Sequence, residues 1–81
     1  MKSKKGFIDS ISYEENIGFI SEVNTGIVFV FFLDQMNERE VRMLLPGTPV
    51  IFNHDLEFET SMFVAENIKS TVNEVFNRKA I

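Results

Sequence analysis

One uninterrupted apolar run, residues 27–33, constrains the fold of this chain more than any other feature. The run is Ile-Val-Phe-Val-Phe-Phe-Leu, and β-branched and aromatic residues of this kind are enriched in strands. It is the strongest predicted strand in a chain of 81 residues, a length that suits one domain. A domain of this size buries only about 60% of the surface that its unfolded chain exposes.

Four further segments have the composition of short strands, and turn signals separate them. These segments are residues 6–12, 17–22, 48–53 and 61–68. The Asn24-Thr25-Gly26 segment favours a hairpin before the apolar run, because Asn and Gly accept positive φ. The pattern predicts an all-β fold, a five-stranded antiparallel Greek-key barrel of the OB-fold type. Closure would also remove the exposed edges of such hydrophobic strands.

Two short helices are predicted outside the strands. In the connection at residues 34–45, Asn37 and Glu40 have the spacing of a capping box, which predicts a short helical turn. Thr71 and Glu74 repeat that spacing and predict a short C-terminal helix. The chain therefore divides into a barrel domain at 1–69 and a helical tail at 70–81.

Composition excludes several functional classes. The chain has no cysteine, so it has neither a disulfide framework nor a zinc finger. Its one histidine, His54, is expected in a solvated acidic loop. The sequence shows no nucleophile beside a base, so we do not expect an enzyme. Asp55, Glu57 and Glu59 lack the ligand spacing of a calcium loop, so we expect neither a metal nor a cofactor. Without a signal peptide or a long apolar stretch, we expect a cytoplasmic protein that does not enter a membrane.

The charge is distributed unevenly along the chain. The net charge is −4, and the basic residues lie mostly near the two ends. The segment between Gly6 and Ile68 contains eleven acidic residues and only two basic ones, Arg39 and Arg42, so its net charge is −9. This distribution by itself argues against a polyanionic partner.

Strand alternation assigns the side chains of the second and third strands to two faces. We predict that Ile20, Val28 and Val30 face the barrel interior. The opposite face then carries an apolar outer platform made of Ile17, Phe19, Phe29 and Phe31, with Phe32 at its end. Flat rings of this kind stack on unpaired bases. The alternative is that both faces are buried, under the 34–45 connection, the C-terminal helix or a second copy of the chain.

Four motifs occur in the order and spacing found in bacterial cold-shock domains, and the chain resembles that family over residues 6–69. The motifs are Glu15-Asn-Ile-Gly-Phe-Ile20, Val28-Phe-Val-Phe-Phe32, Leu45-Pro-Gly-Thr-Pro-Val-Ile-Phe52 and Ala65-Glu-Asn-Ile68. The resemblance implies an OB-fold that binds single-stranded RNA or DNA, in the role of an RNA chaperone or regulator. The family's basic residue is Glu15 here, and its first aromatic residue is Ile17. Ser10 replaces its tryptophan and Phe31 its histidine.

These observations predict a weak nucleic-acid site. The candidate stacking residues are Phe19, Phe29, Phe31 and Phe32, with Ile17 packed beside them and Tyr13 extending the platform. Phosphate contacts are expected from Lys5, Arg39 and Arg42, together with the neighbouring amino-terminal lysines. Two alternatives use the same features: a protein-interaction or homodimerising OB module that buries the same apolar patch, and an acidic mimic of nucleic acid that binds a basic protein.

Overall fold

The computed structural model describes residues 2–54 and 63–71 of the chain. Five strands run through these residues, and each pair of neighbouring strands is antiparallel. They are β1 (Lys2–Ser12), β2 (Ile17–Glu22), β3 (Val28–Phe32), β4 (Pro49–His54) and β5 (Ala65–Ser70). The predicted five-stranded, all-β architecture is therefore confirmed, although β1 begins at Lys2 rather than at residue 6.

The long first strand lies in the middle of the sheet, whose order is β3-β2-β1-β4-β5. Its first half pairs with β4 and its second half pairs with β2. A bulge between Ile8 and Ser10 interrupts the β1–β2 register. Because bulges bend a strand and increase its twist, one long strand can serve both halves of the sheet. The sheet curls into a half-barrel.

The curl brings the two edge strands together. Val30 of β3 donates its backbone N–H to the carbonyl oxygen of Phe63, which precedes β5, at 2.9 Å. An isolated parallel bridge joins Val30 to Val64 at the same place. Within residues 2–54 and 63–71, this contact is the join that closes the strands around the core.

The concave side of the sheet holds the hydrophobic core. Its buried members are Ile8, Ile20, Phe29, Phe31, Leu33, Leu44, Val50, Phe52, Ala65 and Ile68. The ring of Phe29 lies at the centre of an aromatic cluster, 5.0 Å from the rings of both Phe52 and His54. Tilted and edge-on pairs of this kind are favourable beyond the area that they bury.

The connection between β3 and β4 contains the predicted helical turn. A single 3₁₀ turn, Leu33–Gln35, leads to the short helix α1, Glu38–Arg42. The capping box is present: Asn37 Oδ1 accepts from the N–H of Glu40 at 2.8 Å, and Glu40 Oε1 accepts from the N–H of Asn37 at 3.1 Å. Helix α1 therefore begins where the sequence predicts.

The prediction that Phe29 and Phe31 lie on the outer side is wrong. Gly18 lies opposite Phe31, and Ile20 lies opposite Phe29, so both rings point into the core. Each ring is only 1% exposed, whereas Val28, predicted to be internal, is half exposed. A shift of one residue in strand register exchanges the two faces of a strand. The apolar run has no polar residue that would have fixed the choice.

His54 also differs from its prediction, because it ends β4 and is buried rather than solvated. The predicted acidic loop after it and the predicted helical tail at residues 70–81 fall almost wholly outside the described residues. Strand β5 continues through Ser70. No helix in the described part of the chain is long and apolar enough to cross a membrane.

Candidate functional site

The convex side of β1, β2 and β3 carries a group of uncharged side chains, which we call the outer face; exposed Lys5 and Asp9, the latter in the β1 bulge, lie next to this group. The strand pairing arranges nine side chains on it in three rows. The rows are Phe7–Ser21–Val28, Ser10–Phe19–Val30 and Ser12–Ile17–Phe32. Six of the nine side chains are apolar and three are serines. These nine side chains therefore offer dispersion contacts and hydroxyl groups, and the nearest charges on β1 are those of Lys5 and Asp9.

Three aromatic rings follow a diagonal across the outer face. Phe7 and Phe32 stand at opposite corners and are 48% and 38% exposed, and half-buried Phe19 lies between them. Each step along the diagonal joins residues that are diagonal neighbours on adjacent strands, about 7–8 Å apart. Val30 contributes little accessible surface, because it is only 6% exposed. The accessible aromatic surface is thus a line of three rings.

The outer face contains only part of the predicted stacking set. Ile17, Phe19 and Phe32 lie on it, whereas Phe29 and Phe31 lie in the core. Sequence reasoning missed Phe7 and Val28. One signal could have found Val28: Gly18 has no side chain, so the ring opposite it, that of Phe31, fits inward and Val28 faces outward.

The predicted basic residues do not form a single cluster. Lys5 is exposed and lies two residues before Phe7, on the same side of β1. Arg39 and Arg42 are exposed on α1. Arg42 makes a long ion pair with Glu38, 3.8 Å between Nη2 and Oε2, which both side chains make from largely solvated positions. Pairs of that kind add little to stability and leave the guanidinium free to contact another anion.

Tyr13 and Arg42 line the same hollow, which has a volume of about 350 Å³. It lies at the end of the outer face that Phe32 occupies. Its lining residues are Tyr13, Asn16, Leu33, Asp34, Met36, Glu38, Val41 and Arg42. The predicted site residues therefore fall into two places: Lys5 near the Phe7 end of the aromatic diagonal, and Tyr13 with Arg42 at the Phe32 end.

Lys4, which precedes Lys5 in β1, pairs with a buried acidic residue. Its Nζ lies 3.2 Å from Oε2 of buried Glu22, and the hydroxyl of Thr25 donates to Oε1 of Glu22 at 2.8 Å. The Thr25 hydrogen bond, followed by the hydrogen bond and charge of Lys4, holds the pKa of Glu22 below its ordinary value although burial opposes this. Lys4 thus serves the fold rather than a phosphate.

His54 belongs to the aromatic cluster of the core. Its Nδ1 lies 3.1 Å from the carbonyl oxygen of Val64, and its ring is 5.6 Å from that of Phe63. A neutral imidazole can donate from Nδ1 to this carbonyl, so His54 supports the join between β3 and β5. Among residues 2–54 and 63–71, no three histidine or acidic side chains are grouped so that they could hold a metal ion.

Comparison with known proteins adds no relatives to this description. No protein-family model matches the chain, and no curated protein sequence is significantly similar to it. The fold and the site together define a curled, antiparallel β domain with an uncharged aromatic outer face.

Proposed function

We propose that this chain is a single-stranded nucleic-acid-binding domain with an OB-type Greek-key barrel, resembling a cold-shock domain. The strand connections support the fold assignment: β1 pairs with both β2 and β4, and β3 meets β5 in parallel through Val30 and Val64. OB-folds bind oligonucleotides on the face of their second and third strands. In this chain, that face is the outer face.

The observation that carries the proposal is the diagonal of Phe7, Phe19 and Phe32 on the uncharged outer face. An accessible apolar surface of this kind is costly unless something binds to it. Successive bases stack on aromatic rings with a gain of about 1–3 kcal/mol per base and little dependence on sequence. Three rings in a line match the successive bases of one extended strand.

The charge distribution makes stacking the main source of affinity. Because no basic side chain lies among the nine residues of the outer face, the described phosphate contacts would come from its surroundings, from Lys5 near Phe7 and from Arg42 and Arg39 on α1. Phosphate contacts normally supply most of the non-specific affinity for nucleic acid. We therefore expect weak binding of RNA or DNA.

A titration with a labelled single-stranded oligonucleotide at low salt tests the proposal. Phe19→Ala should weaken binding by about 1–3 kcal/mol, the value of one stacked base, while the circular dichroism spectrum stays unchanged. Leu45→Ala is the matched control, because Leu45 is an exposed apolar side chain outside the outer face. Absence of binding by the wild type at high micromolar concentration, or equal loss in the two variants, contradicts the proposal.

The absence of charge on the outer face favours one second candidate, a protein-interaction or homodimerising module. Interface cores are depleted in charged residues and enriched in aromatic ones, as is the outer face. Sedimentation of the free protein would then show a dimer that Phe19→Glu dissociates. A monomer at all concentrations, with oligonucleotide binding intact, removes self-association through this face.

A further inference from the structure

We propose that the hollow beside Tyr13 is a base-selective pocket that favours guanine over uracil or thymine at one end of the bound strand. The inference rests on the proposed function, because it assigns a ligand to the hollow only where a strand already occupies the outer face. Nothing in a line of phenyl rings distinguishes one base from another. Selectivity requires hydrogen-bonding groups, and the hollow supplies them.

The position of the hollow connects it to the aromatic diagonal. Tyr13 follows Ser12, and Asn16 precedes Ile17, so both flank the last row of the outer face. The backbone N–H of Leu33 donates to the carbonyl oxygen of Asn16 at 2.9 Å, which holds the β1–β2 turn against the exit of β3. The hollow therefore lies beside the Ser12–Ile17–Phe32 row, although Phe32 itself does not line it, and a strand that stacks on Phe32 can continue into it.

The walls of the hollow suit a flat ring. Leu33, Met36 and Val41 provide apolar surface, and Leu33 is buried in the core behind it. Tyr13 is 62% exposed and offers one more aromatic ring at the rim. The hollow has a volume of about 350 Å³, which falls in the roughly 300–1,000 Å³ range of small-molecule pockets. Such pockets are mostly apolar, with a few polar groups that fix the orientation of the ligand.

The charged groups of the hollow are two carboxylates, those of Asp34 and Glu38, and the guanidinium of Arg42, whose Nη2 lies 3.8 Å from Oε2 of Glu38. Asp34 is exposed and has no hydrogen bond or ion pair among the described residues, whereas Glu38 is paired with Arg42. The Asp34 carboxylate thus presents two unused acceptor oxygens. Asn16 adds an amide that can donate or accept.

Guanine complements this acceptor set better than the other bases. Its base-pairing edge carries two adjacent N–H donors, N1–H and N2–H, which match the two oxygens of one carboxylate, and its O6 can accept from the amide of Asn16. Adenine and cytosine each present one amino donor beside a ring acceptor. Uracil and thymine place a carbonyl oxygen on each side of N3–H, so a carboxylate repels them. We therefore assign the preference to Asp34.

The test compares three kinds of strand: adenine-only strands, and the same strands with one guanine or one uracil at an end. Each strand has about eight nucleotides, within the roughly 4–16 that one OB-fold covers. A single guanine avoids self-association of the strand. Tyr13 is the only tyrosine and the chain has no tryptophan, so intrinsic fluorescence reports directly on the hollow. We expect guanine at one end to bind about fivefold or more tighter than uracil at that end, as for a good bidentate contact, and to quench Tyr13 more strongly.

The variant Asp34→Asn should bring the guanine-ended and uracil-ended affinities together. Glu14→Gln is the matched control, because Glu14 is an exposed acid in the same turn as Tyr13 and does not line the hollow. Both variants remove one negative charge, so the ratio of the two affinities is the readout. Equal affinities in the wild type, a preference for uracil, or loss of the ratio in Glu14→Gln would each overturn the inference while leaving the proposed function standing. Absence of binding to every strand defeats both.

Discussion

Gly18 and Phe31 share one space in the core, on opposite sides of the β2–β3 pairing. A β-carbon placed on Gly18 would lie within 2.9 Å of three atoms of the Phe31 ring. The ring can point inward only because its partner has no side chain. This relationship fixes which side of β3 faces the core and, with it, which residues form the outer face.

Gly18→Ala should therefore destabilise the fold. Inserting one methyl group into a packed core costs about 1–3 kcal/mol, and here the neighbour that must move is a buried aromatic ring. Urea unfolding measures the loss. Ser21→Ala, on the outer side of the same strand, should change stability by about 0.5 kcal/mol or less. Adding Phe31→Leu to Gly18→Ala should recover part of the loss; strictly additive effects would show that the two residues do not share this space.

Replacing Phe29 should lower the stability of the fold much more than replacing Phe19, which is expected mainly to weaken binding. Phe29→Ala removes the central ring of the core cluster, for which we expect a loss of about 3–5 kcal/mol. Phe19→Ala removes a half-buried ring from the outer face and should cost clearly less. Thermal unfolding followed by circular dichroism makes the comparison. The reverse order of stabilities would mean that the two faces of the half-barrel are exchanged.

Glu22 should make part of the stability depend on pH. Thr25 and Lys4 hold its folded-state pKa below the ordinary value of 4.5. The ionised carboxylate therefore stabilises the fold above the unfolded-state pKa, and this contribution is lost as the pH falls below 4.5 through the lowered folded-state pKa. Glu22→Gln should unfold at lower urea concentration than the wild type at pH 7, and the difference should shrink as the pH falls through that window.

Two controls accompany the Glu22 prediction. Glu14→Gln, in an exposed turn, should show no comparable loss at pH 7. Thr25→Val should raise the pKa of Glu22, because the Thr25 hydroxyl is the largest cause of the lowering; a carboxyl titration by NMR detects this. An unchanged Glu22 pKa in Thr25→Val would show that the Thr25 hydroxyl does not contribute to the lowering.

Oligonucleotide binding should depend only modestly on salt. Four basic side chains are exposed in the described part of the chain, Lys5, Arg39, Arg42 and Lys69. At about 0.7 per phosphate contact, these four side chains contribute at most about −3 to the slope of log K against log salt. Fluorescence titrations over a range of salt concentrations give the slope. A value steeper than about −4 would mean that phosphate contacts, rather than the rings, dominate the affinity.

The strands and the cap of α1 could be predicted because their signals are local. The β-branched and aromatic run indicated β3, and the spacing of Asn37 and Glu40 indicated where α1 begins. Each signal acts over a few residues, through side-chain packing on a strand or through hydrogen bonds to free N–H groups. Neither depends on how distant parts of the chain pair.

The candidate site could be predicted only in part, because it depends on pairing register. In a run with no polar residue, alternation alone cannot decide whether Phe29 or Val28 points inward. Phe7 was missed for a related reason, since its place beside Ser21 follows from the β1–β2 register up to the bulge. The hollow at Tyr13 needs the fold of the β3–β4 connection, which motif spacing does not determine.

The join between Val30 and Phe63 makes the wall of the half-barrel unequal in strength around its circumference. Within residues 2–54 and 63–71, separating β3 from β5 there breaks a single isolated bridge, whereas separating any other neighbouring strands breaks a ladder of hydrogen bonds. Local opening starts where the fewest bonds must break, so water would reach the rings of Phe29 and His54 first from this side. The β1–β2–β3 ladders would stay intact during such an event, so the outer face would keep its shape while the core opens transiently.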